Sequence, residues 1–274
     1  MQYAYGYQLN GTQAGGLDPD AKAYINSVVA AGATVSSTQR NAINNFYKIG
    51  KTEGWYSLLK RLYLPIWAIA SPNAIDMVSR TSGTFAGGIT HSAGYATGNG
   101  TTGYFDYNTS AVSQGLSTAT GLLFWLGYTA ATAGVQLGGY NGSGTGTRAV
   151  LNSSSASSVT SEMTSLATSV SATVTGAGLG ILLSTRTSTT SHKIFQRRTA
   201  FAQRGATSTT AETSTSASVN QNAWARGQSG TRTSFSNAGL GAHGFGLGMT
   251  DAQAENFTLA LKNLWETSTG LVLP

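Results

Sequence analysis

Apolar residues change their spacing twice along this chain. From Asp18 to Tyr63 they recur at helical intervals, from Ile66 to Leu247 they alternate or cluster in short runs, and from Thr250 the helical interval returns. The pattern divides the sequence into an extended arm over 1–17, a helical lead over 18–65, and a body over 66–274 closed by a helix over 251–266. In the arm, Tyr3, Tyr5 and Tyr7 alternate and so share one face of any strand it forms.

Local signals fix the helix ends. Asp18 suits an N-cap, Pro19 the first helical position and Asp20 the positive end of the helix dipole. Tyr24, Ile25, Val28 and Val29 then fall on one face, and Gly32 marks a stop. A second helix starts at Ser36–Ser37, lines up Ile43, Phe46 and Tyr47, and ends near Gly50. A third is expected from Trp55 to Tyr63, with Leu58, Leu59 and Leu62 inward and Pro65 as its breaker. At the far end, Thr250 and Gln253 have capping-box spacing, Ala254, Phe257, Leu261 and Leu264 make a stripe, and Gly270 closes the helix.

Between these helices, segments such as GLLFWLGYTA, AVLNSS, LGILLSTRTS, HKIFQRRTAFAQ and NAWARGQSG read as short strands divided by Gly, Asn, Ser and Thr. Many short strands with regular turn signals suggest a mainly β fold, a sandwich or a barrel, and two packed antiparallel sheets are the expectation taken forward. The Ser/Thr-rich tracts at 152–175 and 207–218 are expected as edge strands and long loops. At 274 residues, one large core suffices.

Composition narrows the function. Only 9% of residues are charged, against about a quarter in ordinary proteins, while the hydrophobic share of 40% is that of a folded chain. The net charge of +6 is not gathered into a track. Its densest group, Lys193, Arg197, Arg198 and Arg204, alternates with Ile194, Phe195 and Phe201 as on a strand with one wet face, so nucleic acid is not expected as a partner. Without cysteine there are no disulfides, thiolate nucleophiles or Cys-based metal sites. No apolar run approaches the roughly 20 residues of a membrane span, and the N-terminus lacks the basic and apolar regions of a secretory signal.

Candidate chemistry is sparse. Glycoside hydrolysis needs two carboxylates across the scissile bond, yet no two acids between Glu53 and Glu212 lie within four positions of each other. His91, His192 and His243 are far apart, so no metal or cofactor is expected. Asp106 and Asn108 supply only two of the several oxygen ligands that calcium needs. Serine occurs in no Gly-x-Ser-x-Gly elbow. In GGITHSAGYATGNGTTGYFDYNTS, over 87–110, His91 reads as a turn residue and Asn99–Gly100 as a tight turn, not as a catalytic loop.

Two stretches together resemble virion structural proteins of tailed bacteriophages and prophages: residues 18–66, through Ala42, Ile43, Asn44, Trp55, Leu59, Lys60, Tyr63 and Pro65, and residues 87–108, through Thr90, His91, Ser92, Gly98, Asn99, Gly100, Thr101, Gly103, Tyr104 and Asp106. The closing helix is similar too. The resemblance implies a helical lead before a concanavalin A-like jelly-roll sandwich and carries no catalytic residue across. It further implies a non-enzymatic tail-fibre, spike or capsid-decoration component that is located in the virion and has other virion proteins and further copies of itself as partners.

The alternative is a carbohydrate-binding, lectin-like module recognising a host-surface glycan, with Asn222, Trp224 and Arg226 as its candidate site. The plainer reading of Trp224 is a core side chain. A divergent polysaccharide-degrading enzyme is disfavoured by the distribution of acids. Under the virion reading, Tyr3, Tyr5 and Tyr7 form an assembly arm that adds a strand to a neighbouring protein. Deleting residues 2–16 is expected to leave the melting temperature unchanged and to abolish oligomerisation or virion incorporation, whereas normal assembly of the truncated chain rules the arm out as anchor.

Overall fold

The computed structural model describes residues 16–130, 134–142, 148–155, 157–164, 169–174, 176, 178–213, 217–228 and 231–274. Tyr3, Tyr5 and Tyr7 lie outside them. The chain opens with α1 (Pro19–Ala30) and α2 (Ser37–Thr52), then β1 (Leu59–Tyr63) and the single-turn α3 (Ala70–Asn73). Short strands follow: β2 (Thr84–Ala86), β3 (Thr90–Ser92), β4 (Tyr95–Thr97) and β5 (Tyr104–Ser110). The middle of the chain forms β6 (Gly121–Thr129), β7 (Val135–Tyr140), β8 (Arg148–Ser155), β9 (Ser158–Glu162) and β10 (Val170–Thr173). The rest forms β11 (Gly180–Ser188), β12 (Ser191–Arg197), β13 (Phe201–Ser208), β14 (Asn220–Ala223), β15 (Arg226–Gln228), β16 (Thr231–Thr233), β17 (Gly239–Gly246) and α4 (Asp251–Thr269).

These strands make the expected sandwich. One sheet has eight strands, ordered β13-β12-β11-β6-β17-β4-β3 with β1 also on β17. The other has nine, ordered β10-β9-β8-β7-β14-β5-β2, with the β15–β16 hairpin joined to β7. Pairing is antiparallel except between β15 and β7. The strands of the eight-stranded sheet alternate between two cores. On β6, Leu122, Phe124 and Leu126 face the helices, while Leu123 and Trp125 face the other sheet. Ile181 and Leu183 on β11 likewise point to the helices and Leu182 to the sandwich interior. A sheet buried on both faces needs an unbroken apolar run, which GLLFWLG supplies.

The helices cover one side of that sheet. Asp18 accepts from the backbone N–H groups of Asp20 and Ala21 to start α1, and Ser36 with Gln39 forms a capping box on α2. The expected box of Thr250 with Gln253 starts α4, and Gly270 ends it in the left-handed conformation. Ala254, Phe257, Leu261 and Leu264 are buried as the stripe predicts. Phe257 lies 4.9 Å from the Phe124 ring of the sheet, 5.3 Å from Trp55 and 6.4 Å from Phe46. No described helix is long and apolar enough to cross a membrane.

One element differs in kind. The expected helix over Trp55–Tyr63 is a single 3-10 turn at Tyr56–Leu58 followed by β1, which pairs with β17 from Leu59↔Gly246 to Tyr63↔His243. Glycines on β17 make this possible: a Cβ on Gly244 would sit 2.1 Å from the Arg61 carbonyl oxygen, and one on Gly246 2.3 Å from that of Leu58. The buried Asp76 carboxylate also accepts from the Leu62 N–H at 2.9 Å. Tertiary pairing thus overrides local helical spacing, and the lead contributes a strand to the sandwich. The tract over 152–175 also holds more structure than loops, since β8, β9 and β10 run through it, with β10 at the expected edge. Leu261→Ala is expected to cost about 2–5 kcal/mol in urea unfolding, and a loss below about 0.5 kcal/mol would show that the helical layer is not packed on the sheet.

Candidate functional site

The helices leave the outer face of the nine-stranded sheet as the sandwich's second broad surface. Register aligns one row across it: Thr84, Asp106, Asn222, Gly138, Val150 and Glu162. Asp106 is its hub. Its carboxylate accepts from Arg232 Nη2, from Asn220 Nδ2 at 3.0 Å and from the Asn108 N–H at 2.7 Å. Arg232 Nε donates to Asn222 Oδ1 at 2.9 Å, and its guanidinium lies over the Tyr104 ring at 5.0 Å. Thr84, Asn108 and Asn220 are exposed, while Tyr104 and Arg232 are half-buried.

The β15–β16 hairpin lies on this face because glycines meet there. A Cβ on Gly227 would fall 2.2 Å from Asn222 Nδ2, and one on Gly138 3.3 Å from the Arg226 Cα. The hairpin brings Arg232 to Asp106 and sets Arg226 over the Tyr140 ring at 5.4 Å. Its seating depends on the tryptophan two positions before it. Trp224 has φ 59, a backbone region costly for a bulky side chain. Its N–H donates to Gln136 O at 3.0 Å, its carbonyl accepts from Ser236 N–H at 2.8 Å, and its indole N–H donates to Ala238 O at 2.6 Å. These bonds hold the break at which NAWARGQSG, expected as one strand, divides into β14 and β15.

The expected glycan surface of Asn222, Trp224 and Arg226 is therefore not formed as such. Trp224 is fully buried, packed edge-on against His243 at 5.1 Å, and has no face to offer a sugar. It is a core side chain, the plainer of the two readings. Asn222 is buried beneath the hairpin, and Arg226 alone of the three lies partly open on the outer face. Sequence reasoning missed Tyr104, Asn220 and Arg232. The alternation of Tyr104, Asp106 and Asn108 in YFDYN was a usable signal for one face, but nothing local ties Arg232 to it across 126 residues.

Each histidine has a structural setting. His91 Nδ1 lies 3.0 Å from Asn73 Nδ2, and its ring meets Phe85 edge-on at 4.5 Å, joining α3 to β2 and β3. Asn99 holds the neighbouring turn, its Oδ1 accepting from the N–H groups of Thr101, Thr102 and Gly103. His192 is buried between Arg186 Nη2, 3.1 Å from Nδ1, and the hydroxyls of Ser184 and Ser161, 2.8 and 3.1 Å from Nε2. A guanidinium only donates, so Nδ1 accepts and Nε2 carries the proton. The imidazole donates toward the serines, the reverse of what a general base requires. Carboxylates are similarly engaged: Asp76 with Arg61 at 3.6 Å, Glu212 with Arg186 at 4.0 Å, and Asp251 with Lys193 at 2.7 Å. Among the described residues no group of three His, Asp or Glu side chains is placed to hold a metal ion, and the Asp106 carboxylate receives hydrogen-bond donors where a cation would sit.

No family model and no curated protein matches the chain. Solved structures similar in shape include the following two. Domain 4 of AbnA, an extracellular GH43 arabinanase from Geobacillus stearothermophilus in complex with arabinotriose, gives a TM-score of 0.43 at 9% identity, over 74% of this chain and 98% of that one. Trypanosoma rangeli sialidase in complex with sialic acid gives 0.48 at 10% identity, over 80% of this chain and 38% of that one. Neither likeness bears on the chemistry of this chain.

His243, at the centre of the sandwich, sets an acid limit. It is stacked on Tyr63 at 5.6 Å with its Nδ1 2.6 Å from the Tyr107 hydroxyl, and burial pushes its pKa down to about 3. The unfolded chain takes up this proton near pH 6.5. Stability is therefore complete above that value and falls as pH drops from it toward 3. The expected loss in denaturant unfolding from this group is about 2 kcal/mol at pH 5. In His243→Gln, which keeps a partner for Tyr107, the pH dependence should weaken by that amount, and an unchanged profile would assign the acid sensitivity to another group.

Proposed function

We propose that this protein is a non-catalytic recognition module that binds glycan on the outer face of its nine-stranded sheet. The observation that carries this reading is the cluster of Thr84, Tyr104, Asn108, Asn220 and Arg232 gathered around Asp106 on the face the helices leave open. Sugars offer hydroxyls to amide, carboxylate and guanidinium groups and C–H faces to aromatic rings, so such a mixture suits them. Two arrangements support a binding role over a catalytic one. The Asp106 carboxylate is tied to Arg232, and His192 donates toward its serines.

The resemblance of residues 18–66 and 87–108 to tailed-phage virion proteins supports placing the module on a virion, non-enzymatic, with other virion proteins and further copies of the chain as partners. On that reading the glycan belongs to the host surface. A glycan array with the full chain tests the binding role. Wild-type protein should mark a defined set of glycans, and Tyr104→Ala, with an unchanged melting temperature, should bind them at least tenfold more weakly. A blank array, or release of reducing sugar from the bound glycans, would overturn the reading.

A further inference from the structure

The open face carries more cationic than anionic chemistry where the hairpin lies on it. The hairpin brings two guanidinium groups, Arg226 and Arg232, each over a tyrosine of the sheet. Asp106 is the carboxylate paired with Arg232. Arg226 Nη2 donates to Gln228 Oε1 at 3.2 Å, but its Nε is buried without a hydrogen-bond partner. Directly across the hairpin, Thr233 Oγ1 is also buried without one. Glu162, the other acid of the row, stands at its far end on β9.

Accordingly, and resting on the glycan reading above, we infer that the outer face selects sugars bearing a carboxylate, and that Asp106 is an internal counter-ion which the sugar carboxylate displaces from Arg232. The geometry permits the exchange. Arg232 and Asp106 keep 21% and 12% side-chain exposure, so the pair is reached from solvent. When Asp106 is displaced, the bond from Arg232 Nε to Asn222 Oδ1 and the stack on Tyr104 still hold the guanidinium in place. A guanidinium so fixed presents its planar donor edge to a carboxylate with little further ordering. The neighbouring Arg226 adds a second positive charge to the same end of the face.

The test separates the carboxylate from the sugar. Oligogalacturonate and its fully methyl-esterified form share one backbone, and their affinities for the full chain are measured by titration calorimetry at fixed salt. The acid form is expected to bind at least tenfold more tightly than the ester. Asp106→Asn should tighten the acid form further, because Arg232 no longer has an internal competitor. Arg232→Gln should bring the two forms to within about twofold of each other. Equal affinity of the wild-type chain for both forms overturns the inference and leaves glycan binding standing. Binding of neither form, with a blank array, removes the glycan reading and this inference with it. If Asp106→Asn weakens the acid form at an unchanged melting temperature, Asp106 is a contact rather than a competitor and the displacement is wrong. The wild-type comparison decides the carboxylate preference even if a variant fails to fold.

Discussion

The structure depends on one constraint: the eight-stranded sheet is apolar on both faces. Leu122, Phe124 and Leu126 of β6 would stand in water if nothing covered them, as would Ile181 and Leu183 of β11. Burying each such side chain is worth about 1.5–3 kcal/mol, so the helices are required parts of the fold. This explains why α1 and α2 come before the sandwich and α4 after it, yet all contribute to one core. It also explains the tight ring cluster of Phe46, Trp55, Phe124 and Phe257, which joins both ends of the chain to the middle.

The second sheet is built on a different principle. Its inner face is apolar, but its outer face carries hydroxyls, amides and a few charges held in mutual bonds. Trp224 connects the two regimes. Its indole lies in the core, while its left-handed backbone turns the chain out onto the outer face and delivers the hairpin. The energetic cost of that backbone is offset by three hydrogen bonds and by burial of the largest side chain type, so the hairpin inherits its position from the core. A hairpin anchored this way holds its guanidinium groups over the sheet without help from a ligand, which lowers the ordering cost of binding.

Much of the fold was legible because its signals are local. Capping residues, the Phe257–Leu261–Leu264 stripe and the change from helical to alternating spacing each act within a few positions. β1 was not legible, because Leu58, Leu59 and Leu62 fit a helical face equally well and the deciding partner, β17, lies far along the chain. The same holds for the candidate site. Asp106 could be noticed in the sequence, but its meaning depends on Arg232 and Asn220, which only the pairing of β5, β14 and the hairpin brings near. Trp224 misled in the opposite direction: a tryptophan flanked by Asn222 and Arg226 has the composition of a sugar platform, and only its position between the sheets reveals a core residue.

The helical layer has a geometric consequence for the two sides of the molecule. Leu17, at the start of α1, and Leu273, beyond α4, both pack into the core on the helical side. The first and last described stretches of the chain therefore lie on the same side of the sandwich, across both sheets from Tyr104 and Arg232. The fold behaves as a plate with an apolar, helix-backed rear and a polar front.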